Sequence, residues 1–190
     1  MSNSFRTTNS TGLINKDKKI NFTFNGTIYH GYEGDTLASA LIANGVHLVG
    51  RSFKYHRPRG FLGVGVEEPN AMVQLHDGNK SEPNIIATEV ELVEGLKAKS
   101  QNCWPSVQFD IGEINNVLNR FFPAGFYYKT FMWPKSFWMK IYEPFIRKAA
   151  GMGKAPLLPD PDRYEHNYEH CDVLVVGSGP VSYTHLRAHE

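Results

Sequence analysis

Apolar and polar residues alternate from Ile20 to Phe24, which is the pattern of a half-buried β-strand. The dipeptide Asn25-Gly26 follows and favours a two-residue hairpin turn, because both turn positions need positive φ. Residues 27–30 alternate again and are predicted to return as the second strand. The folded part of the chain is therefore expected to open with a β-hairpin.

Apolar spacing then changes to that of a helix. Asp35 or Thr36 can cap its free amide groups, and Gly45 is a favourable residue just beyond its end. The apolar face of this predicted helix consists of Leu37, Ala38, Leu41 and Ile42.

Further strands are predicted at residues 71–75, 85–88 and 90–92. Residues 51–70 separate them from the helix and are too basic and glycine-rich for helix or strand. A long loop within a compact region is usually either functional or disordered. This order indicates an α+β fold, a ferredoxin-like β-grasp domain over residues 20–97, after an arm of residues 1–19 that we expect to be mobile.

In plant-type ferredoxins the corresponding loop wraps a [2Fe–2S] cluster with thiolates spaced C-x4-C-x2-C. Counted along residues 51–70, this spacing falls on Leu62, Glu67 and Asn70, none of which is cysteine. The loop therefore has the form of a cluster cradle without the ligands.

Residues 98–169 are expected to form a helical, aromatic connector that packs against another body. Asp110 can cap a helix over residues 111–121, and a second helix is predicted over residues 136–150. The aromatic run at residues 126–134 lies between them, and the proline-rich residues 154–162 indicate a stiff linker.

Residues 170–181 read as the truncated first strand and turn of a Rossmann-like dinucleotide-binding domain. An apolar, mostly β-branched run from Val173 to Val176 precedes the turn, and the nucleotide could be NAD or a flavin. Ser182 stands where a third glycine belongs, and residues 182–190 resemble a foreign read-through tail. The predicted cofactor-binding residues are Gly177, Ser178, Gly179 and Pro180.

Composition limits the alternatives. The 190 residues carry a net charge of +1, which argues against a dedicated nucleic-acid binder. The two cysteines, Cys103 and Cys171, lie far apart and indicate neither a disulfide framework nor a metal motif. The chain shows no signal peptide and no apolar run long enough for a bilayer, so we expect a cytoplasmic protein without a membrane partner.

Seven strings occur in order between about Ile20 and Pro180 and together resemble the N-terminal part of the α subunits of heterotetrameric sarcosine oxidase. They are GDTLASALIANGV, GRSFKYHRPRG, GVGVEEPNA, WPSVQFD, PAGFYYKTFMWP, YEPFIRKAAGMGKAP and CDVLVVGSGP. The resemblance implies a longer subunit with an NAD-binding domain and a folate-handling half. It also implies β, γ and δ subunit partners, FAD and FMN in the complex, and oxidation of sarcosine to glycine with tetrahydrofolate and oxygen.

Related α subunits of hydrogen cyanide synthase and of opine or proline dehydrogenases keep cysteines in the loop. This chain has Leu62, Glu67 and Asn70 at the three loop positions, and Thr88 lies near the fourth ligand position. We therefore predict no cluster, no metal and no catalytic residue in this chain, and favour the sarcosine oxidase branch. The alternatives are an α subunit of a related amine, opine or proline dehydrogenase or of hydrogen cyanide synthase, a non-enzymatic β-grasp assembly module, and an authentic iron–sulfur carrier.

The basic loop residues Arg51, Lys54, His56, Arg57 and Arg59 are predicted to dock onto another domain or subunit, and Glu67 and Glu68 could pair with some of them. Binding of single-stranded nucleic acid is the less favoured hypothesis for this loop.

Overall fold

A computed structural model describes residues 5–7, 13–121, 125, 131–150, 153, 155–177, 181 and 184. The other residues lie outside this description, including Ser178, Gly179, Pro180 and most of the aromatic run at 126–134. No helix in the described ranges is long and apolar enough to cross a membrane.

The predicted hairpin is confirmed. Strand β1 spans Asn15–Phe24 and β2 spans Thr27–Glu33, paired antiparallel with Phe24 opposite Thr27. Asn25 and Gly26 have φ of 51° and 81°, as the turn requires. Ile20, Phe22 and Phe24 point into the core at every second position, so the alternation in the sequence sets the buried face of β1.

Helix α1 spans Leu37–Ala43 and packs on the sheet. Thr36 is its N-cap: the Ser39 N–H donates to Thr36 Oγ1, and the Thr36 N–H donates to Ser39 Oγ. The Asp35 carboxylate, predicted as an alternative cap, is buried and accepts a 2.6 Å contact from Arg6 instead. Of the predicted apolar face, Leu37, Ala38 and Leu41 are buried and Ile42 is exposed.

A five-stranded mixed sheet carries the fold, in the order β2-β1-β7-β5-β6. Strand β5 spans Met72–Leu75, β6 spans Glu82–Ile86 and β7 spans Lys97–Ser100. β7 is parallel to β1 and antiparallel to β5, whereas β5 and β6 are antiparallel. The five-stranded sheet together with α1, which packs against β2, forms the α+β, ferredoxin-like architecture that the sequence predicts.

The sheet corrects the predicted boundaries. β7 begins at Lys97, where the domain was expected to end, and continues to Ser100, and its buried Ala98 joins the core. β1 begins at Asn15, within the expected arm, and the Phe5 N–H donates to the Ala43 carbonyl at 3.1 Å. Residues 90–92 form no strand of their own; Glu91 makes a single bridge to Thr36.

The connector is helical but irregular. The predicted helix at 111–121 consists of a 3-10 turn (Ile111–Glu113), α2 (Ile114–Val117) and a second 3-10 turn (Asn119–Phe121). The second predicted helix consists of a 3-10 turn (Lys135–Phe137), a π-helical stretch (Trp138–Tyr142) and α3 (Glu143–Ala149). A further 3-10 turn, Gly78–Lys80, joins β5 to β6. The expected packing of the connector stays a prediction, since many of its apolar side chains are exposed.

Phe22 provides a test of the core, because only 1% of it is exposed and its ring lies 5.9 Å from that of Tyr29. Phe22→Ala is expected to lower the free energy of unfolding by about 3–5 kcal/mol, through lost burial and a residual cavity. Ile28→Ala is the matched control, since Ile28 lies on the paired strand and is 75% exposed. It should cost under about 0.5 kcal/mol in the same urea titration; equal losses would contradict the assigned face of β1.

Candidate functional site

The predicted loop of residues 51–70 begins with a small β-hairpin, which corrects the expectation that it contains no strand. β3 (Gly50–Arg51) pairs antiparallel with β4 (Pro58–Arg59). Gly60 then passes so close to the chain before β3 that an added Cβ would lie 2.4 Å from the His47 carbonyl oxygen. The irregular part of the loop is therefore residues 60–71, which we call the cradle loop.

The side chain of Glu68 lies at the centre of the cradle loop, with only 2% of the residue exposed. Its Oε2 accepts hydrogen bonds from the N–H groups of Leu62 at 2.6 Å and Gly63 at 2.5 Å. Its Oε1 accepts from Asn70 at 2.7 Å and Ala71 at 3.1 Å. One carboxylate thus connects the start of the loop to its end.

Ionisation of Glu68 is stabilised by these contacts. Burial raises the pKa of the carboxyl group, but the hydrogen bonds from Gly63, Asn70, Leu62 and Ala71 together outweigh burial and lower it. The stability contributed by the carboxylate is therefore present above the ordinary carboxyl range and is lost as the pH falls through the lowered pKa.

Glu67 has a separate role at the surface. Its Oε1 accepts from the Val64 N–H at 2.7 Å and the Gly65 N–H at 3.1 Å, and these bonds lower its pKa. Both glutamates therefore bind backbone amides, and the described contacts include no ion pair of either with the loop arginines. The expectation that Glu67 and Glu68 pair with those arginines is wrong.

Burial differs between the predicted ligand positions and the residues that follow them. Leu62 is 77% exposed and Glu67 is exposed, so these predicted positions face away from the cradle. The same C-x4-C-x2-C spacing also fits Gly63, Glu68 and Ala71, and the last two are buried. Thr88, near the expected fourth position, is buried as well and donates from Oγ1 to the Gly65 carbonyl at 2.8 Å.

A [2Fe–2S] cluster needs thiolate ligands, with histidine as the known substitute. The residues at the ligand positions of either frame, and Thr88 near the fourth, supply neither group. Cys103 lies beside Asp110 and Arg51, and burial together with Asp110 raises its thiol pKa. The described ranges hold no group of three His, Cys, Asp or Glu side chains suited to a metal. The residues present therefore do not fit the cluster.

Arg51, predicted as a docking residue, is instead buried. Its guanidinium donates to the carbonyls of Val107 at 2.9 Å, His56 at 3.0 Å and Gln108 at 3.1 Å, and contacts Glu113 at 3.2 Å. These bonds attach the start of the connector to the β3–β4 hairpin.

His56 and Asp110 complete this buried network. His56 Nδ1 lies 2.5 Å from Asp110 Oδ2, and Asp110 Oδ1 accepts from the N–H groups of Trp104 at 3.0 Å and Gly112 at 3.1 Å. The bond from Gly112 confirms Asp110 as a helix cap. His56 is thus a structural residue here and not a surface cation for docking.

The remaining basic side chains lie at the surface. Arg57 Nε donates to Asn116 at 2.8 Å, and the Arg57 and Lys54 cations each lie 4.9 Å from the Tyr55 ring centre. Arg59 is exposed beside a cleft of about 140 Å³. Small-molecule sites usually measure about 300–1,000 Å³, so this cleft is small for a cofactor.

The nucleotide motif is described only as far as Gly177, whose φ is 124°. Residues 171–177 form no strand, and Val173, Leu174 and Val176 are 55%, 76% and 84% exposed. The predicted buried strand is therefore not seen in this segment, and Ser178, Gly179 and Pro180 lie outside the described residues. Nucleotide binding stays a prediction.

The domain that contains the cradle loop matches a known family. A family described as a 2Fe-2S iron-sulfur cluster binding domain matches residues 17–103. The chain is 60% identical over 170 residues to sarcosine oxidase subunit alpha of Rhizobium meliloti (strain 1021), covering 90% of this chain and 17% of that protein. It is 30% identical over 171 residues to the same subunit of Corynebacterium sp. (strain U-96), covering 88% of this chain and 13% of that protein.

The chain thus spans less than a fifth of the length of these relatives. Among solved structures, L-proline dehydrogenase from P. horikoshii aligns at 24% identity, covering 47% of this chain and 16% of that one. Its TM-score is 0.35, from which nothing further follows for this chain.

Arg51→Met is expected to lower the free energy of unfolding by about 2–4 kcal/mol, because it leaves buried carbonyl groups without a donor. Arg51→Lys should recover only part of the loss, since one ammonium group cannot span all these acceptors. In Arg51→Met, the rate of amide hydrogen exchange should increase more at residues 104–113 than in β1. Arg59→Met is the exposed control and should change neither measurement; unchanged exchange in Arg51→Met would refute the attachment.

Proposed function

Because the resemblance to sarcosine oxidase α subunits is confirmed over nine tenths of the chain, we propose that it forms the first part of such a subunit in an amine-oxidising complex. The complex would oxidise sarcosine to glycine, using tetrahydrofolate and oxygen, on FAD or FMN held elsewhere. This chain alone would not catalyse the reaction.

Within that complex, residues 17–103 would act as a cluster-free docking module. The observation that carries this proposal is that the ligand spacing meets no cysteine or histidine in the cradle loop. The buried residues there, Glu68 and Ala71, and the nearby Thr88 cannot ligate iron as thiolates do. The same observation disfavours the related dehydrogenases, whose loops keep cysteines. The module would therefore contribute surface and shape, and no electron transfer.

The outer side of the cradle loop suits a protein partner. Leu62, Val64 and Val66 are 77%, 91% and 59% exposed, and the exposed Arg59 lies just before them. Apolar side chains beside an arginine are typical of binding surfaces between proteins. We propose that this surface contacts the remainder of the α subunit or one of the β, γ and δ subunits.

Charge reversal at Arg59 tests the docking surface. In the full-length subunit, Arg59→Glu combined with Val64→Asp should weaken assembly with the partner subunits by at least about tenfold, since both changes oppose an apolar, carboxylate-bearing partner. Assembly can be measured by calorimetry or sedimentation. Lys19→Glu, an exposed change on β1, is the matched control. Assembly as tight as that of the control would count against this surface.

The turn at Gly177, Ser178, Gly179 and Pro180 would bind the pyrophosphate of NAD in a full-length subunit. A glycine at 179 would let the backbone approach the phosphates, which then lie at the helix N-terminus. The apolar run before it supports this proposal, because strands of parallel sheets are covered on both faces.

Gly179→Val in a full-length subunit should weaken NAD binding by at least about tenfold, or roughly 1.4 kcal/mol, because a branched side chain blocks the pyrophosphate. Ser178→Ala should bind nearly as the unsubstituted protein does, since the turn acts through its backbone. Calorimetric titration with NAD measures both. Complex formation without any nucleotide binding would favour the alternative, a non-enzymatic assembly module.

A further inference from the structure

Glu68 is a buried acid that the docking proposal does not use. In ferredoxin-like loops the cluster is a negatively charged body that accepts backbone hydrogen bonds through its sulfur atoms. We propose that the Glu68 carboxylate replaces the cluster here, as a built-in anion around which the cradle loop is wrapped. This inference rests on the cluster-free module proposed above.

The directions of the hydrogen bonds support this role. The donors come in two pairs, Leu62 with Gly63 and Asn70 with Ala71, and each pair binds a different carboxylate oxygen. The two pairs lie at opposite ends of the loop. A single charged group therefore closes the loop at the same two ends where the C-x4-C-x2-C spacing would place thiolates.

The balance of charge supports the same role. Among the ion pairs of the described residues, none involves Glu68, so its charge is compensated by N–H dipoles and not by lysine or arginine. An ionised group buried in this way persists only where such donors are fixed in place. The loop backbone is thus arranged for an anion, and Glu68 supplies it.

Thr88 binds the loop at a third point. Its hydroxyl donates to the Gly65 carbonyl at 2.8 Å, between the two pairs of donors. The Ala87 N–H donates to the Ala71 carbonyl at 2.9 Å, which joins the same segment to the end of the loop. Hydrogen bonds of Glu68, Ala71 and Thr88 therefore connect the loop to itself and to the segment that follows β6.

Site-resolved hydrogen exchange in the chain tests the inference. Glu68→Gln keeps the size of the side chain but removes its charge and turns one oxygen into a donor. We expect exchange at the amides of Leu62, Gly63, Asn70 and Ala71 to become at least tenfold faster, and the melting temperature to fall by roughly 5–10 °C. Glu67→Gln, in the same loop but exposed, should leave those four amides unchanged.

Unchanged protection of the four amides in Glu68→Gln would overturn the inference while leaving the docking module intact. If Glu68→Gln does not fold, the inference is tested by hydrogen exchange in the unsubstituted chain. Slower exchange at the four amides than at Val64 and Gly65, which bind the exposed Glu67, supports the inference, and equal exchange overturns it.

Analysis for iron and sulfide tests the cluster-free docking module independently of the role proposed for Glu68. The purified, unsubstituted chain is expected to be colourless after anaerobic incubation with iron and sulfide. Stoichiometric iron with visible absorbance would overturn the cluster-free module itself, whatever the exchange data show.

Discussion

Buried backbone N–H groups must find acceptors, and the fold of residues 17–103 depends on how the cradle loop meets this requirement. Four backbone N–H groups, that of Ala71 buried and the other three partly buried, meet on the Glu68 carboxylate. The last of them belongs to Ala71, which directly precedes β5. Because β5 lies between β6 and β7 in the sheet, the geometry of the loop and the position of a central strand are fixed by the same contact.

A second buried network extends this order into the connector. Arg51 lies on β3, at the entry to the loop, and its guanidinium binds carbonyls at Val107 and Gln108. The planar group carries five donors in fixed directions, which suits several carbonyl acceptors around one cation. Asp110 and His56 lie in the same network, so the segment from Trp104 to Glu113 folds against the hairpin although its own apolar residues are mostly exposed.

Local patterns were sufficient for the hairpin and α1. The alternation around Phe22 and the cap at Thr36 are each decided within a few residues of sequence. β7 could not be found in this way, because Lys97–Ser100 offers only one apolar residue, Ala98, and its strand geometry comes from its neighbours β1 and β5. The predicted strand at residues 173–176 is not formed for the opposite reason. This segment has the apolar residues of a buried strand, but the described strands pair with one another and none pairs with it.

The candidate site shows the same division between local and tertiary information. The spacing of thiolates fits the loop in two frames, and the structure shows that Glu68 and Ala71 are buried whereas Leu62 and Glu67 are exposed. The sequence shows two adjacent glutamates, Glu67 and Glu68, but it does not show that the first side chain is exposed and the second is buried. The available signal was an acid at or beside a ligand position in a glycine-rich loop, and it fits Glu67 and Glu68 equally.

A carboxylate in place of a metal cluster changes what the outer face of the loop can do. A redox centre near the surface must approach its electron partner, whereas a loop closed by Glu68 has no such requirement. Its outer residues, Leu62, Val64 and Val66, can then be apolar and exposed. Since the carboxylate already orders their backbone, a partner that covers them loses little further conformational entropy, and such preorganisation favours tight association. The buried charge of Glu68 thus orders the loop backbone that presents the exposed apolar face.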